Sequence, residues 1–242
     1  MKRNKSSSYC FLSEGCGTLI SIIVPVLNEE KTIEKLLKQL NSLSGEKELI
    51  VIDGGSDDNT IEIASKFCKV VKSKKGRANQ MNKGAKIAEG NILWFVHSDS
   101  IVSEDSLYRI ESAVNEGYIG GGFSLFFHDH DTKFMRFLSR TSNWRAKYLG
   151  LYFGDQGIFI RRDIFNEIEG YKEIDLMEDW DISKRMEKKG NMKLLDIKIG
   201  TSARKFKNGG QLKILLMMHK IKILYVLGVS PSKLNKIYRE AG

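Results

Sequence analysis

Carboxylates and one imidazole recur where apolar runs end, and that placement is the first sign of chemistry in this chain. The run Ile92-Leu93-Trp94-Phe95-Val96 breaks into His97-Ser98-Asp99-Ser100. An imidazole and a carboxylate two residues apart can face one metal ion or one phosphate group; alone, the cluster suits a polar turn closing a core strand equally well. A second run, residues 48–52, breaks into Asp53-Gly54-Gly55-Ser56-Asp57-Asp58-Asn59-Thr60. This acidic, glycine-rich loop would repel a phosphate and suits a base or ribose hydrogen-bonded by a carboxylate, the plain alternative being a turn with a helix cap. Lys72-Ser73-Lys74-Lys75-Gly76-Arg77 precedes a helical pattern. Backbone N–H groups and the Arg77 guanidinium can form an anion site there, with the lysines on a solvated face. Met177-Glu178-Asp179-Trp180-Asp181 opens another helix. Acids at a helix N-terminus are ordinary caps, which is the reading for Asp181, but three acids in four residues beside an aromatic also supply a general base.

These clusters need elements to position them. The run 92–96, rich in β-formers, predicts a strand buried on both faces at the centre of an α/β sheet, whose carboxyl edge is where ligands bind. Residues 19–24 predict a strand whose ladder Pro25 stops. Asn28 reads as the N-cap of a helix carrying Ile33, Leu36, Leu37, Leu40 and Leu43 on one face. Strand 48–52, a short helix, a strand about 70–71, the helix after Gly76 and the central strand make β-α-β-α-β, hence a mostly parallel sheet with right-handed crossovers. Further on, the patterns predict a helix over 103–116 with Leu107, Ile110 and Val114 inward, a strand over 120–127 and a mixed aromatic and basic helix over 132–148. A strand over 158–160 follows Phe153-Gly154-Asp155-Gln156-Gly157, then a helix containing Ile182 and Met186, then a strand over 192–199. No internal repeat or linker divides this half.

At 242 residues the chain can bury roughly 70–75% of its unfolded surface, enough for an enzyme core. Lys and Arg exceed Asp and Glu by 39 − 30 = 9, which favours anionic partners such as nucleotides or acidic lipid. Cys10, Cys16 and Cys68 fit neither a disulfide framework nor a zinc site, so a cytoplasmic location is expected. Residues 1–17 read as a flexible tail, because they are basic and Ser-rich without the apolar core of a signal peptide. The G-x-x-x-x-G-K-[ST] phosphate loop is absent, and Gly15-Cys16-Gly17 precedes a strand instead of following one.

Five motifs in order resemble the family 2 glycosyltransferases of GT-A fold: Ile-Val-Pro-Val-Leu-Asn-Glu-Glu (23–30), Val-Ile-Asp-Gly-Gly-Ser-Asp-Asp (51–58), Gly-Arg-Ala-Asn-Gln-Met-Asn-Lys-Gly-Ala (76–85), His-Ser-Asp-Ser (97–100) and Glu-Asp (178–179). With Gly-Asp-Gln-Gly and Met-Glu-Asp, the set resembles a small bacterial subgroup that carries His-x-Asp-Ser or -Thr in place of D-x-D. Some of that subgroup's members are labelled carotenoid-acid glucosyltransferases. The resemblance, which runs from Ile20 to about Trp180, implies a Rossmann-like, mostly parallel sheet in a domain over 18–205; composition adds the expectation of an apolar, basic helical extension over 206–242. It implies a UDP-linked sugar donor across the strand ends, and a hydroxyl or carboxyl acceptor that could be lipid-like. Pro25, Asn28, Glu29 and Asp53 would line the nucleoside side, with Gly76 and Arg77 near it. Asp99 would bind Mn²⁺ or Mg²⁺ bridging the diphosphate. Asp179 would be the base of a single inverting displacement. Gln156 and Glu178 would touch substrate, Gln156 near the sugar or acceptor. Two departures stand out: His97 replaces the first Asp of D-x-D and becomes a second candidate metal ligand, and Asp53-Gly54 replaces a paired Asp-Asp.

Three other functions are weaker. A nucleotide-sugar-binding pseudo-enzyme is disfavoured by the retention of Asp99 with Glu178-Asp179. A nucleic-acid binder lacks any RNP or zinc signature despite the charge. A sugar nucleotidyltransferase would need a glycine-rich phosphate loop after the first strand. Residues 211–227 are apolar around most of the helical circumference, with Lys213 and Lys220 on one side and Lys222 and His219 nearly opposite. They are too short and too charged to span a bilayer. Such a segment packs on its own domain, joins a homodimer interface, or lies at the membrane surface with its lysines reaching headgroups. Net charge and the family's lipid-linked substrates favour peripheral contact at the inner face of the cell membrane.

Overall fold

The computed structural model describes residues 18–240, so the tail expected over residues 1–17 lies outside the described residues. In chain order the elements are β1 (Ile20–Val26), α1 (Ile33–Ser42), β2 (Lys47–Asp53), α2 (Thr60–Ser65), β3 (Lys69–Lys72), α3 (Arg77–Ile87), β4 (Ile92–Phe95), α4 (Ser106–Asn115) and β5 (Gly120–Phe127). There follow α5 (Lys133–Leu149), a 3-10 turn (Gly154–Gln156), β6 (Phe159–Arg161), α6 (Arg162–Glu167), α7 (Glu178–Glu187), β7 (Met192–Thr201), α8 (Arg204–Gly209), α9 (Gln211–Val226) and α10 (Pro231–Glu240). Seven strands form one sheet in the order β3-β2-β1-β4-β6-β5-β7. The half β3-β2-β1-β4 is parallel, β6 runs antiparallel to both β4 and β5, and β7 is parallel to β5.

The central place of β4 follows from its composition. All four residues, Ile92 to Phe95, are buried, and each stabilises by about 1.5–3 kcal/mol relative to exposure. One face of the sheet packs Leu36, Leu37 and Leu40 of α1 with Leu107 and Ile110 of α4. The other packs Met81 and Ala85 of α3 with Ile182 and Met186 of α7. Gly84 lets α3 lie close, since a Cβ there would collide with the Ile23 side chain. A third apolar cluster joins Met135, Phe206, Ile214, Met217, Ile221 and Leu234 from α5, α8, α9 and α10.

Several expectations are corrected. Pro25 does not stop the first strand; β1 continues to Val26, with Pro25 opposite Ile52. Alternate residues of a strand direct their backbone groups to opposite neighbours. The Ile23 carbonyl accepts from Val96 and the Val26 carbonyl accepts from Gly54, so Pro25 faces β4, where pairing has already ended at Ile23 and Phe95. The missing N–H therefore falls outside the ladder. Asn28 is not an N-cap: α1 starts at Ile33 after Thr32. Asn28 instead adopts φ 56°, a left-handed conformation that Asn tolerates, and its Oδ1 accepts the Asp57 N–H at 3.0 Å. The fourth helix starts later than expected, at Ser106, and Ala113 is buried deeper than Val114.

One side chain ties these strand ends to the helix behind them. Gln80 of α3, only 3% exposed, donates both Nε2 hydrogens, to the Val26 carbonyl at 2.7 Å and the Ile52 carbonyl at 2.8 Å. A Gln80→Leu variant keeps the volume and removes both bonds. It should unfold about 1–3 kcal/mol more easily in urea, with an unchanged denaturant slope.

Candidate active site

The carboxyl ends of β1, β2 and β4 carry the loops 27–32, 54–59 and 96–100, side by side because the three strands are parallel neighbours. The first two loops are stitched together. Ser56 Oγ accepts the Asn28 N–H at 2.9 Å, Thr60 Oγ1 accepts that of Glu29 at 2.8 Å, and Asp58 Oδ2 accepts that of Glu30 at 3.2 Å. Asp53, expected to touch a nucleoside, is fully buried. Its Oδ2 accepts the Gly55 N–H at 2.9 Å and its Oδ1 that of Ser56 at 3.1 Å. These bonds shape the loop that follows β2. Pro25 is likewise buried in its strand, whereas Asn28 is exposed at the edge.

Beside them stand two mostly buried carboxylates, Glu29 and Asp99, and one guanidinium. Arg204 bonds Glu29 Oε1 at 2.9 Å and stands 3.7 Å from Asp99 Oδ2. Burial pushes the Asp99 carboxyl above its usual range, with Glu29 adding to the effect and Arg204 opposing it. Its one near cation is too far for a hydrogen bond, so Asp99 is a hard oxygen donor whose charge a divalent cation would relieve. Among the described residues no three His, Cys, Asp or Glu side chains gather closely enough to cage a metal. Asp99 therefore fits a metal only as part of a set completed by phosphate and water oxygens, which suits Mg²⁺ or Mn²⁺. His97 points its ring at Gly154, where a Cβ would stand 2.5 Å from Nε2. Burial, with Arg77 and Arg204 adding, holds its pKa down to about 3. It is a neutral imidazole.

Gly154 links this edge to the second half. Its N–H donates to Asp179 Oδ2 at 3.1 Å, while Asp179 Oδ1 accepts the Trp180 N–H at 2.8 Å. Glu178, the first residue of α7 and buried, pairs with Arg77 of α3 at 2.6 Å. Burial pushes the Glu178 carboxyl up and Arg77 opposes it. Arg77, beside Gly76, is thus engaged by a carboxylate while its side chain stays 45% exposed, and Glu178 is buried with its Oε2 lacking a hydrogen-bond partner. Gln156 is fully buried, with Oε1 accepting from Arg145 at 3.0 Å and Nε2 donating to the Phe123 carbonyl at 3.3 Å, so it braces the 3-10 turn.

A cavity of about 260 Å³ opens against Asp179, with His97, Asp155, Arg145 and Lys222 in its wall. Sequence reasoning gave no site role to Asp155, Arg145, Lys222 or Arg204. Asp155 lay inside the quoted Gly-Asp-Gln-Gly motif and had a signal; Arg204 bonds a residue 175 positions away, which no local pattern reveals.

With this geometry in hand, known proteins give it a family. The sequence pattern of glycosyl transferase family 2 matches residues 21–169. A PGL/p-HBAD biosynthesis glycosyltransferase of Mycobacterium tuberculosis (strain ATCC 25177 / H37Ra) is 27% identical over 188 residues, 69% of each chain. Among solved structures, S. aureus TarS 1-349 in complex with UDP-GlcNAc is similar, with TM-score 0.57 and 21% identity over 73% of this chain and 55% of that one. The mannosyltransferase PcManGT from Pyrobaculum calidifontis, in complex with GDP-Man and Mn2+, gives TM-score 0.67 and 16% identity over 94% of this chain and 70% of that one. Motif order, sheet topology and the pattern match agree: the chain belongs to glycosyl transferase family 2 and has the GT-A fold.

Proposed function

We propose that this chain moves a sugar from a nucleotide diphosphate sugar, UDP-linked, to an acceptor hydroxyl or carboxyl by one inverting displacement. The observation that carries the reading is the shared wall between two clusters: His97, two residues from Asp99, lies on Gly154, and the Gly154 N–H holds Asp179. A leaving diphosphate near Asp99 and an acceptor near Asp179 would then flank one anomeric carbon. The nucleotide-sugar ligands of the two solved relatives support that donor class for this chain.

In the proposed reaction the acceptor O–H gives its proton to Asp179 as its oxygen bonds to the anomeric carbon. The bond from that carbon to the diphosphate oxygen breaks, and the nucleotide diphosphate leaves with the electron pair. Mn²⁺ or Mg²⁺, held by Asp99 and the diphosphate, would offset the charge on the leaving group. Asn28 and Glu29 line the nucleoside side, Asp53 sets its loop, and the Arg77–Glu178 pair fixes α7 so that Asp179 faces the cavity. His97 acts as a neighbour that orients Gly154.

Two variants separate these roles. Asp99→Asn should abolish the Mn²⁺ dependence of UDP-sugar binding in calorimetry while the thermal unfolding curve stays in place; equal affinity in variant and wild type contradicts the metal assignment. Asp179→Asn should bind donor normally and lower turnover by roughly 10²–10⁴-fold.

We also infer that α9 touches an anionic membrane surface. No helix among the described residues is long and apolar enough to cross a membrane, yet Leu212, Leu216, Ile223 and Leu227 are exposed beside exposed Lys213 and Lys220. Lys222, expected to reach headgroups with them, lines the cavity instead. The wild type should float with anionic liposomes at low salt, and Lys213→Glu with Lys220→Glu should release it. A wild type that stays off the liposomes refutes the contact.

A further inference from the structure

Exposed apolar surface on this chain is concentrated. Of ten large apolar or aromatic side chains that stand exposed among the described residues, nine belong to α5, to α9 or to Leu227 just after it, the exception being Tyr108 of α4. Single apolar residues scattered over a surface are ordinary, whereas a cluster of them marks a contact. On α5 they are Phe137, Trp144 and Tyr148, each more than half exposed, with Leu149 at the helix end. Spacings of seven and four residues put the three aromatics on one side of the helix. Trp144 and Tyr148 touch, their ring centres 5.6 Å apart.

The charge on the same helix has one sign. α5 carries Lys133, Arg136, Arg140, Arg145 and Lys147 and no acid. Arg145 turns toward the cavity beside Asp179. The other four are exposed, and the helical repeat sets them in a stripe beside the aromatic one. Arg136 meets Asp131 at 3.3 Å, an exposed pair of little worth in water. Lys133, Arg140 and Lys147 have no carboxylate partner among the described residues, although the Lys147 ammonium stands 5.5 Å over the Tyr148 ring.

We propose that this face of α5 lies against an anionic lipid surface, with Phe137, Trp144 and Tyr148 at the acyl boundary and Lys133, Arg136, Arg140 and Lys147 among the headgroups. Trp and Tyr favour that level of a bilayer because each ring joins an apolar body to a polar tip. Long cationic side chains beside them reach the lipid phosphates. Complementary charge selects this occupant. A second copy of the chain would set the same unpaired cations against themselves, on a molecule with nine positive charges in excess. The inference adds a second helix to the membrane reading of α9, but it rests on observations of α5 alone. Interfacial contacts that are weak singly hold firmly in pairs, and α5 and α9 wall one cavity and meet in one apolar cluster.

The test uses the full chain and phosphatidylcholine vesicles with or without phosphatidylglycerol, prepared also with brominated acyl chains, which quench tryptophan on contact. The wild type should bind vesicles containing phosphatidylglycerol at least about tenfold more tightly than phosphatidylcholine alone, and brominated chains should quench its fluorescence. The other tryptophans are Trp94, which is buried, and Trp180, half-buried between Phe153 and Tyr225. Trp144→Phe should therefore keep binding and lose most of the quenching. Phe137→Ser, Trp144→Ser and Tyr148→Ser together should weaken binding by about tenfold or more, with thermal unfolding in place because these side chains are exposed. Lys133→Glu, Arg140→Glu and Lys147→Glu together should remove the preference for phosphatidylglycerol. Vesicle binding without quenching of Trp144 overturns the proposal and leaves the α9 contact standing. Binding and Trp144 quenching that survive Lys213→Glu with Lys220→Glu uphold α5 and refute α9. Absence of vesicle binding overturns the proposal, and self-association abolished by the serine changes would then assign the face to a second copy.

Discussion

The Gln80 amide bridges the Val26 and Ile52 carbonyls, and the active-site geometry depends on that bridge. Three parallel strands, β2, β1 and β4, deliver polar loops to one edge because their apolar runs are buried on both faces. Parallel pairing alone leaves the last carbonyls of each strand exposed to competition from water and ligand. A buried side chain that satisfies two of them at once fixes the distance between the Asn28 loop and the Asp53 loop. The stitching by Ser56, Asp58 and Thr60 then extends that order outward to the surface.

Electrostatics set the second half of the site. Three acids of the site have a cationic neighbour from a distant element: Glu29 and Asp99 share Arg204, and Glu178 pairs with Arg77. Asp99 is the least well matched of these by distance, with Arg204 3.7 Å away, and burial pushes its carboxyl up. A carboxylate left partly uncompensated next to a bonded pair is a place where an added cation gains energy. Asp179 differs, being oriented by the Gly154 and Trp180 N–H groups on the far side of the cavity.

Much of this was legible from periodicity. The buried strand at Ile92–Phe95, the parallel first half and the opening of α7 at Glu178 follow from apolar runs and their polar stops. Local rules failed where tertiary partners decided. Asn28 has the residue type of a cap, but the loop after β1 turns left-handed to meet Asp57. Asp53 and Gln156 look like ligand contacts by type and position; Asp53 also bonds backbone N–H groups of its own loop, and Gln156 bonds the Arg145 side chain and the Phe123 carbonyl. Arg77 reads as an anion binder from its loop, whereas the carboxylate it meets, Glu178, lies 101 residues later (178 − 77). The Arg204 and Lys222 placements depend on the packing of α8 and α9 against the site, for which sequence spacing carries no signal.

The most direct test of the account is amide hydrogen exchange with and without UDP and Mn²⁺ at saturation. Binding at the carboxyl ends of the parallel strands predicts slowed exchange in the segments following β1, β2 and β4, around residues 27–30, 54–59 and 97–100, with little change in β7. Slowing confined to β7 or to the helices α9 and α10, with the three loops unaffected, would contradict it.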